Sequence, residues 1–133
     1  MAERAGFGFL YRSQDGTIGA ADWRRGAAWL AVAAAGLVLL YAALDVGLGV
    51  QMVGVATLFT LGFMFLCVCY HFLTVKRARA IGAPTALGFA VPVAAFALAF
   101  AHWVGPNWLV LAPRLGDLAF AAAAGHAIWT FGR

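Results

Sequence analysis

From residue 27 to residue 44 the chain carries no charge and almost no polar side chain. As a helix, that run would be about 27 Å long, close to the hydrocarbon thickness of a bilayer. Three more apolar runs follow, at residues 52–75, 85–104 and 113–131. Charged residues make up 11% of the chain, against the roughly 25% of a soluble domain. Low charge and long apolar runs together predict an integral membrane protein. The fold class expected is all-α, an antiparallel four-helix bundle with short turns between spans.

The basic residues set the orientation. Arg4, Arg12, Arg24 and Arg25 precede the first run, Lys76, Arg77 and Arg79 lie between the second and third, and Arg133 ends the chain. Arg114 alone lies in an odd-numbered gap. Lys and Arg hold short loops on the cytoplasmic side, so eight of nine fit a four-span protein with both ends in the cytoplasm. Residues 1–26 then form a cytoplasmic or interfacial segment, and residues 27–133 the membrane domain. The apolar core of a cleavable signal is shorter than the first run and follows a shorter leader, so that run reads as a retained helix. The net charge of +4 needs no nucleic acid to explain it, because basic side chains flanking a span meet lipid headgroups.

Local signals refine this picture. Ser13-Gln14-Asp15-Gly16 reads as a turn, and Asp22 as the N-cap of a helix entering the membrane. Asp45, Gly47 and Gly49 mark the first outer turn. In the second span Thr60, Met64, Cys67, His71 and Thr74 share one helix face, which should point inward because it is the more polar one. Gly82 and Pro84 separate spans two and three. Pro92 should kink the third span, and Gly105-Pro106-Asn107 should turn the chain back. Arg114 and Asp117 fall in the first turn of span four, with Trp129 and Phe131 as anchors at its inner boundary. Small residues spaced by four, Ala27, Ala31 and Ala35 in span one and Ala121 and Gly125 in span four, suit close helix contact. Cys67 and Cys69 point about 200° apart on a helix, so a disulfide between them is not expected, and both read as small buried side chains.

Two stretches carry a family resemblance. Residues 15–24, Asp15-Gly16-Thr17-Ile18-Gly19-Ala20-Ala21-Asp22-Trp23-Arg24, precede the first span, and Arg77-Ala78-Arg79-Ala80-Ile81-Gly82 follows the second. They resemble the bacterial membrane family catalogued as domain of unknown function 805, through Gly16, Ile18, Gly19, Trp23, Arg77 and Gly82. Thr17 and Ala20 stand where that family usually has arginine, and Arg79-Ala80 where it has His-Asp. The resemblance covers residues 15–90. It implies a small four-span protein of a bacterial inner membrane and brings no activity with it.

Histidines are the one hint of chemistry. His71 and His126 fall at similar depth near the inner ends of spans two and four, whereas His102 lies near the opposite surface. Two imidazoles at one depth could ligate a b-type haem, hold a quinone headgroup or relay protons. The bland alternative is that each bonds a hydroxyl or carbonyl in its own helix pair. The sequence has no Ser-His-Asp set, no paired intramembrane carboxylates and no phosphate loop. The reading favoured is therefore a non-catalytic accessory or assembly subunit, without cofactor, packed in membrane lipid against a larger respiratory or photosynthetic complex or its own copies. The alternative is a haem b- or quinone-binding electron-transfer subunit using His71 and His126. A third is a small oligomeric transporter.

Overall fold

The structure is a computed structural model describing residues 6–47, 53–108 and 112–133. Those residues are all helical or connecting. A short helix α1 (Phe7–Arg12) is followed by four long ones, α2 (Ala20–Ala42), α3 (Val53–Ile81), α4 (Ala90–Trp108) and α5 (Ala112–Phe131). A π-turn (Ala43–Gly47) extends α2, and a 3-10 turn (Thr85–Phe89) leads into α4. Two helical stretches, Ala20–Asp45 and Gly54–Ile81, are long and apolar enough to cross a membrane, and Thr85–Ala101 is a shorter apolar one.

Successive long helices are antiparallel. Trp23 meets Thr74 near one end of the α2–α3 pair, and Tyr41 stacks against Phe59 near the other. Phe63 then meets Phe96 edge-on, with centroids 5.4 Å apart, and His71 meets Phe89, which sets the direction of α4. Helix α5 returns along α4, with Gly116 close against Leu98 and Ala101.

Several boundaries differ from the sequence expectation, each for a physical reason. Helix α2 starts at Ala20 after Gly19, so Asp22 is not the N-cap. It lies in the first turn and pairs instead with Arg25 at 3.2 Å. Helix α3 continues six residues past Val75, through the whole basic segment. It stops where Gly82 adopts φ +67°, and Ala83 N–H then bonds the Ala78 carbonyl at 2.9 Å. That is a Schellman closure, and the left-handed position suits glycine. Pro92 is the third residue of α4, where a backbone N–H has no partner within the helix, so the expected kink is replaced by a change from 3-10 to α winding. Residues 105–107 belong to the end of α4 rather than to a turn. Helix α5 starts one residue before Pro113, which puts Asp117 beyond its first turn. The expectations at Gly49 and at the side chains of His102 and Trp103 lie outside the described residues.

Packing is uneven along the helices. The core gathers at the end bearing the basic residues, where Leu10, Ile18, Trp23, Leu73, Ala78, Ala127 and Phe131 are nearly or fully buried. Burying side chains the size of Leu73 or Phe131 contributes about 1.5–3 kcal/mol each. Away from that end the outward faces are apolar and open, as at Leu39 (70% exposed), Leu58 (71%) and Leu118 (66%). The polar face expected on α3 turns inward only in its later half. Thr74 is buried and Cys67 half-buried, while Thr60 and Met64 are exposed. Thr60 has no need of an inward place, because its hydroxyl bonds the Ala56 carbonyl of its own helix at 2.9 Å.

Candidate functional site

The basic end is tied together by three neighbouring cations on the last turns of α3. Each reaches backbone carbonyls of a different segment. Lys76 is fully buried, its ammonium donating to the carbonyls of Phe9 and of Leu10 (3.1 Å to the latter). Those carbonyls belong to α1, a helix whose late carbonyls lack partners of its own. The same ammonium lies 4.6 Å from the centre of the Phe9 ring, a cation–π contact. Arg77 donates to the Phe131 carbonyl at 2.9 Å and to the Arg133 carbonyl, closing the end of α5. Arg79 donates to the Gln14 carbonyl in the connection between α1 and α2. A cation at a helix C-terminus also meets the negative end of the helix dipole.

The segment before α2 is built to receive these donors. Ser13 and Asp15 form a local turn, with Asp15 N–H on Ser13 Oγ at 3.0 Å. Gly16 follows at φ +86°, and a Cβ there would meet the Phe9 ring at 2.9 Å. The expected turn is therefore present, and Phe9 lies across it. Tyr11 donates its hydroxyl to the Gly26 carbonyl at 2.9 Å. Burial pushes the Tyr11 phenol above its ordinary pKa, with Cys69 adding to the rise and Arg25 opposing it. Burial pushes the Lys76 ammonium down, and Asp15 partly offsets this.

Beside the knot lies a cavity of about 380 Å³ walled by all four long helices. Ala27, Ala31 and Ala34 of α2 share its lining with Ala124 and Ala127 of α5, and Cys67 and Tyr70 of α3 with Pro92 of α4. The Trp23 indole N–H at its edge is already engaged. Trp23 Nε1 donates to Thr74 Oγ1 at 3.4 Å, and Tyr70 lines the cavity one turn before that threonine. What remains is hydrocarbon wall, open to the surface where Ala31 and Ile128 are exposed.

The sequence candidates divide between these features. His71 stacks on Phe89, with centroids 4.0 Å apart, and its Nδ1 is buried without a hydrogen-bond partner. Gly88 lies against it, so closely that a Cβ there would stand 3.0 Å from Nδ1. His126 is exposed, with Nε2 3.4 Å from Thr130 Oγ1. Each histidine thus has its own neighbours, and no contact joins them among the described residues. Ala31, Ala35, Ala121 and Gly125 are all exposed, and Ala31 also lines the cavity. A Cβ on Gly125 would meet nothing within 4 Å, so that small-residue face is not packed within the chain. Trp129 is exposed at the end of α5 with the Arg133 guanidinium over its ring, as an anchor would be. Phe131 is instead a core residue, its ring 5.8 Å from Trp23. The sequence reading missed Gly26, Gly62 and Gly116, where a Cβ would meet Leu73 at 2.8 Å, Leu37 at 3.2 Å and the Leu98 backbone at 3.2 Å. Gly26 lies four residues after Asp22, and nothing local distinguishes it from Gly36, which has open space around it.

No known protein family, curated protein or solved structure matches the chain. The resemblance of residues 15–90 to the four-span bacterial family rests on its motif residues alone. Those residues have definite places here. Gly16 and Gly82 take positive φ, Gly19 precedes α2, Ile18 and Trp23 are in the core, and Arg77 closes α5.

Proposed function

We propose that the chain is a four-span bacterial inner-membrane protein with both ends cytoplasmic, acting as a non-catalytic accessory or assembly subunit of a larger membrane complex. The observation that carries the membrane part is the exposure of large apolar side chains on every long helix. Leu39 on α2, Phe65 on α3, Phe100 on α4 and Leu118 on α5 are each more than three-fifths exposed. Soluble monomers rarely present contiguous apolar surface on this scale, and lipid or partner helices would cover it. The knot supports the orientation, because it gathers the N-terminal segment, the connection after α3 and the C-terminus at one end of the fold. The non-catalytic part is supported by the use of the polar groups. The cations of the knot hold carbonyls, and the hydroxyls nearest the cavity are engaged with one another or with backbone. Unpacked small-residue faces at Ala35, Ala121 and Gly125 are left for another chain.

The test is purification of a tagged chain in mild detergent from its native host, after alkaline carbonate washing of the membranes. The protein should stay with the membrane pellet and bring down a defined membrane partner at fixed stoichiometry, giving a colourless preparation. Recovery in the carbonate supernatant would contradict the membrane reading. A haem absorption band lost in His71→Ala would contradict the non-catalytic one, as would purification without any stoichiometric partner.

A further inference from the structure

The cavity has walls suited to hydrocarbon and a volume of about 380 Å³, within the range of roughly 300–1,000 Å³ typical of ligand pockets. Its α2 and α5 walls are largely methyl groups, Ala27 and Ala31 on one side and Ala124 and Ala127 on the other. These small side chains leave the room that larger ones would fill. The cavity opens to the surface past Ala31 and Ile128, both exposed, so an acyl chain can enter it from the surrounding bilayer. Trp23 donates to Thr74 at its edge, and the rest of the lining is almost wholly hydrocarbon.

A cation stands on the same helix stripe. Arg24 precedes Ala27 by three positions and Ala31 by seven, so the three share one side of α2. Its neighbours in charge are committed. Arg25 pairs with Asp22, and Lys76, Arg77 and Arg79 hold carbonyls. Arg24 is exposed and makes no hydrogen bond or ion pair among the described residues. A guanidinium at the basic end and a hydrocarbon cavity one to two turns further along the same stripe match the two halves of one molecule. We propose that the cavity holds an acyl chain of one anionic phospholipid whose phosphate sits on Arg24. Guanidinium suits a phosphate through paired N–H donors, and it favours a net-negative headgroup, whose phosphate charge no choline cation offsets beside the arginine. The proposal rests on the membrane reading given above, since the bilayer is the source of the lipid.

Native mass spectrometry of the detergent-purified chain tests this, with phosphatidylglycerol and phosphatidylcholine of identical chains as probes. One phosphatidylglycerol should be retained per chain, at concentrations about tenfold lower than phosphatidylcholine requires, the size of effect expected of one charge-assisted contact. Arg24→Gln should bring phosphatidylglycerol to the phosphatidylcholine level. Ala31→Phe, which fills the cavity, should abolish retention of both, and Ala124→Leu on the facing helix provides a second filling variant should the first not fold. Equal retention of the two lipids by the unaltered chain would overturn the headgroup assignment. Undiminished retention in both filling variants would overturn the cavity assignment. A stoichiometric isoprenoid quinone in an organic extract of the purified chain would overturn the lipid as occupant. The membrane reading fails on a different measurement, recovery in the carbonate supernatant, so the two failures can be told apart.

Discussion

At the scale of single residues, glycines divide by what stands over them. At Gly26 a Cβ would meet the Leu73 side chain at 2.8 Å and the Tyr11 hydroxyl at 3.3 Å, whereas at Gly125 it would meet nothing within 4 Å. Gly26→Ala should therefore destabilise the detergent-solubilised protein by about 1–3 kcal/mol, the usual cost of overpacking. Gly125→Ala should be neutral or stabilising, by up to about 1 kcal/mol, because alanine is the better helix former. Thermal unfolding of the two variants side by side checks this, and a more harmful Gly125 change would mean that its face is packed against another chain. The sequence pointed to the opposite glycine. Small-xxx-small spacing marks where a helix can be approached, but which face is approached depends on the partner helix, and α4 meets α5 at Gly116 instead. The histidines show the same limit. The sequence places His71 and His126 near the ends of their apolar runs, but their azimuth was not legible, because it depends on how far each helix is rotated against its neighbours. That rotation puts His71 against Gly88 and Phe89 and leaves His126 exposed beside Thr130.

At the scale of elements, the basic segment after the second apolar run has two jobs in one stretch. Positive charge between spans predicts that these residues form a cytoplasmic loop. They are not a loop, however, because α3 stays helical to Ile81 and spends its cations on the ends of other segments. The element pattern was readable from apolar runs and from the Gly82 stop. The extra turns of α3 were not, since they depend on α1 and α5 supplying carbonyls from more than fifty residues away. Helix α1 is the element most dependent on this arrangement. It has six residues, too short to be stable alone, and no side-chain cap at its start. Replacing Lys76 by methionine keeps the apolar stem but leaves the Phe9 and Leu10 carbonyls without their donor. A lost charge-assisted hydrogen bond is worth about 1.5–3 kcal/mol. Trypsin should then cut after Arg12 at least about tenfold faster than in the unaltered protein, while the helicity of the four long helices by circular dichroism is retained. Unchanged cleavage would show that α1 is held by Leu10 and Tyr11 packing alone.

At the scale of the whole molecule, the fold has a closed end and an open one. The closed end combines the buried core of Trp23, Leu73 and Phe131 with the carbonyl-holding cations, and it brings residues 7–19 and 131–133 against the end of α3. The open end is held by an aromatic run, Tyr41, Phe59, Phe63 and Phe96, with apolar faces outward. The proposed membrane reading accounts for this distribution, with lipid covering the open apolar faces and the polar, packed end lying at one of the two water boundaries. Gly16, Ile18, Trp23, Arg77 and Gly82 all belong to this closed end. The most direct test places single cysteines at the two ends in a background with Cys67→Ala and Cys69→Ala. In intact cells converted to spheroplasts, a membrane-impermeant maleimide should label Gly47→Cys from outside. It should label Arg133→Cys and Gly6→Cys only after the membrane is permeabilised. Labelling of Arg133→Cys from outside, or equal labelling of all three before permeabilisation, would contradict a four-span protein with both ends in the cytoplasm.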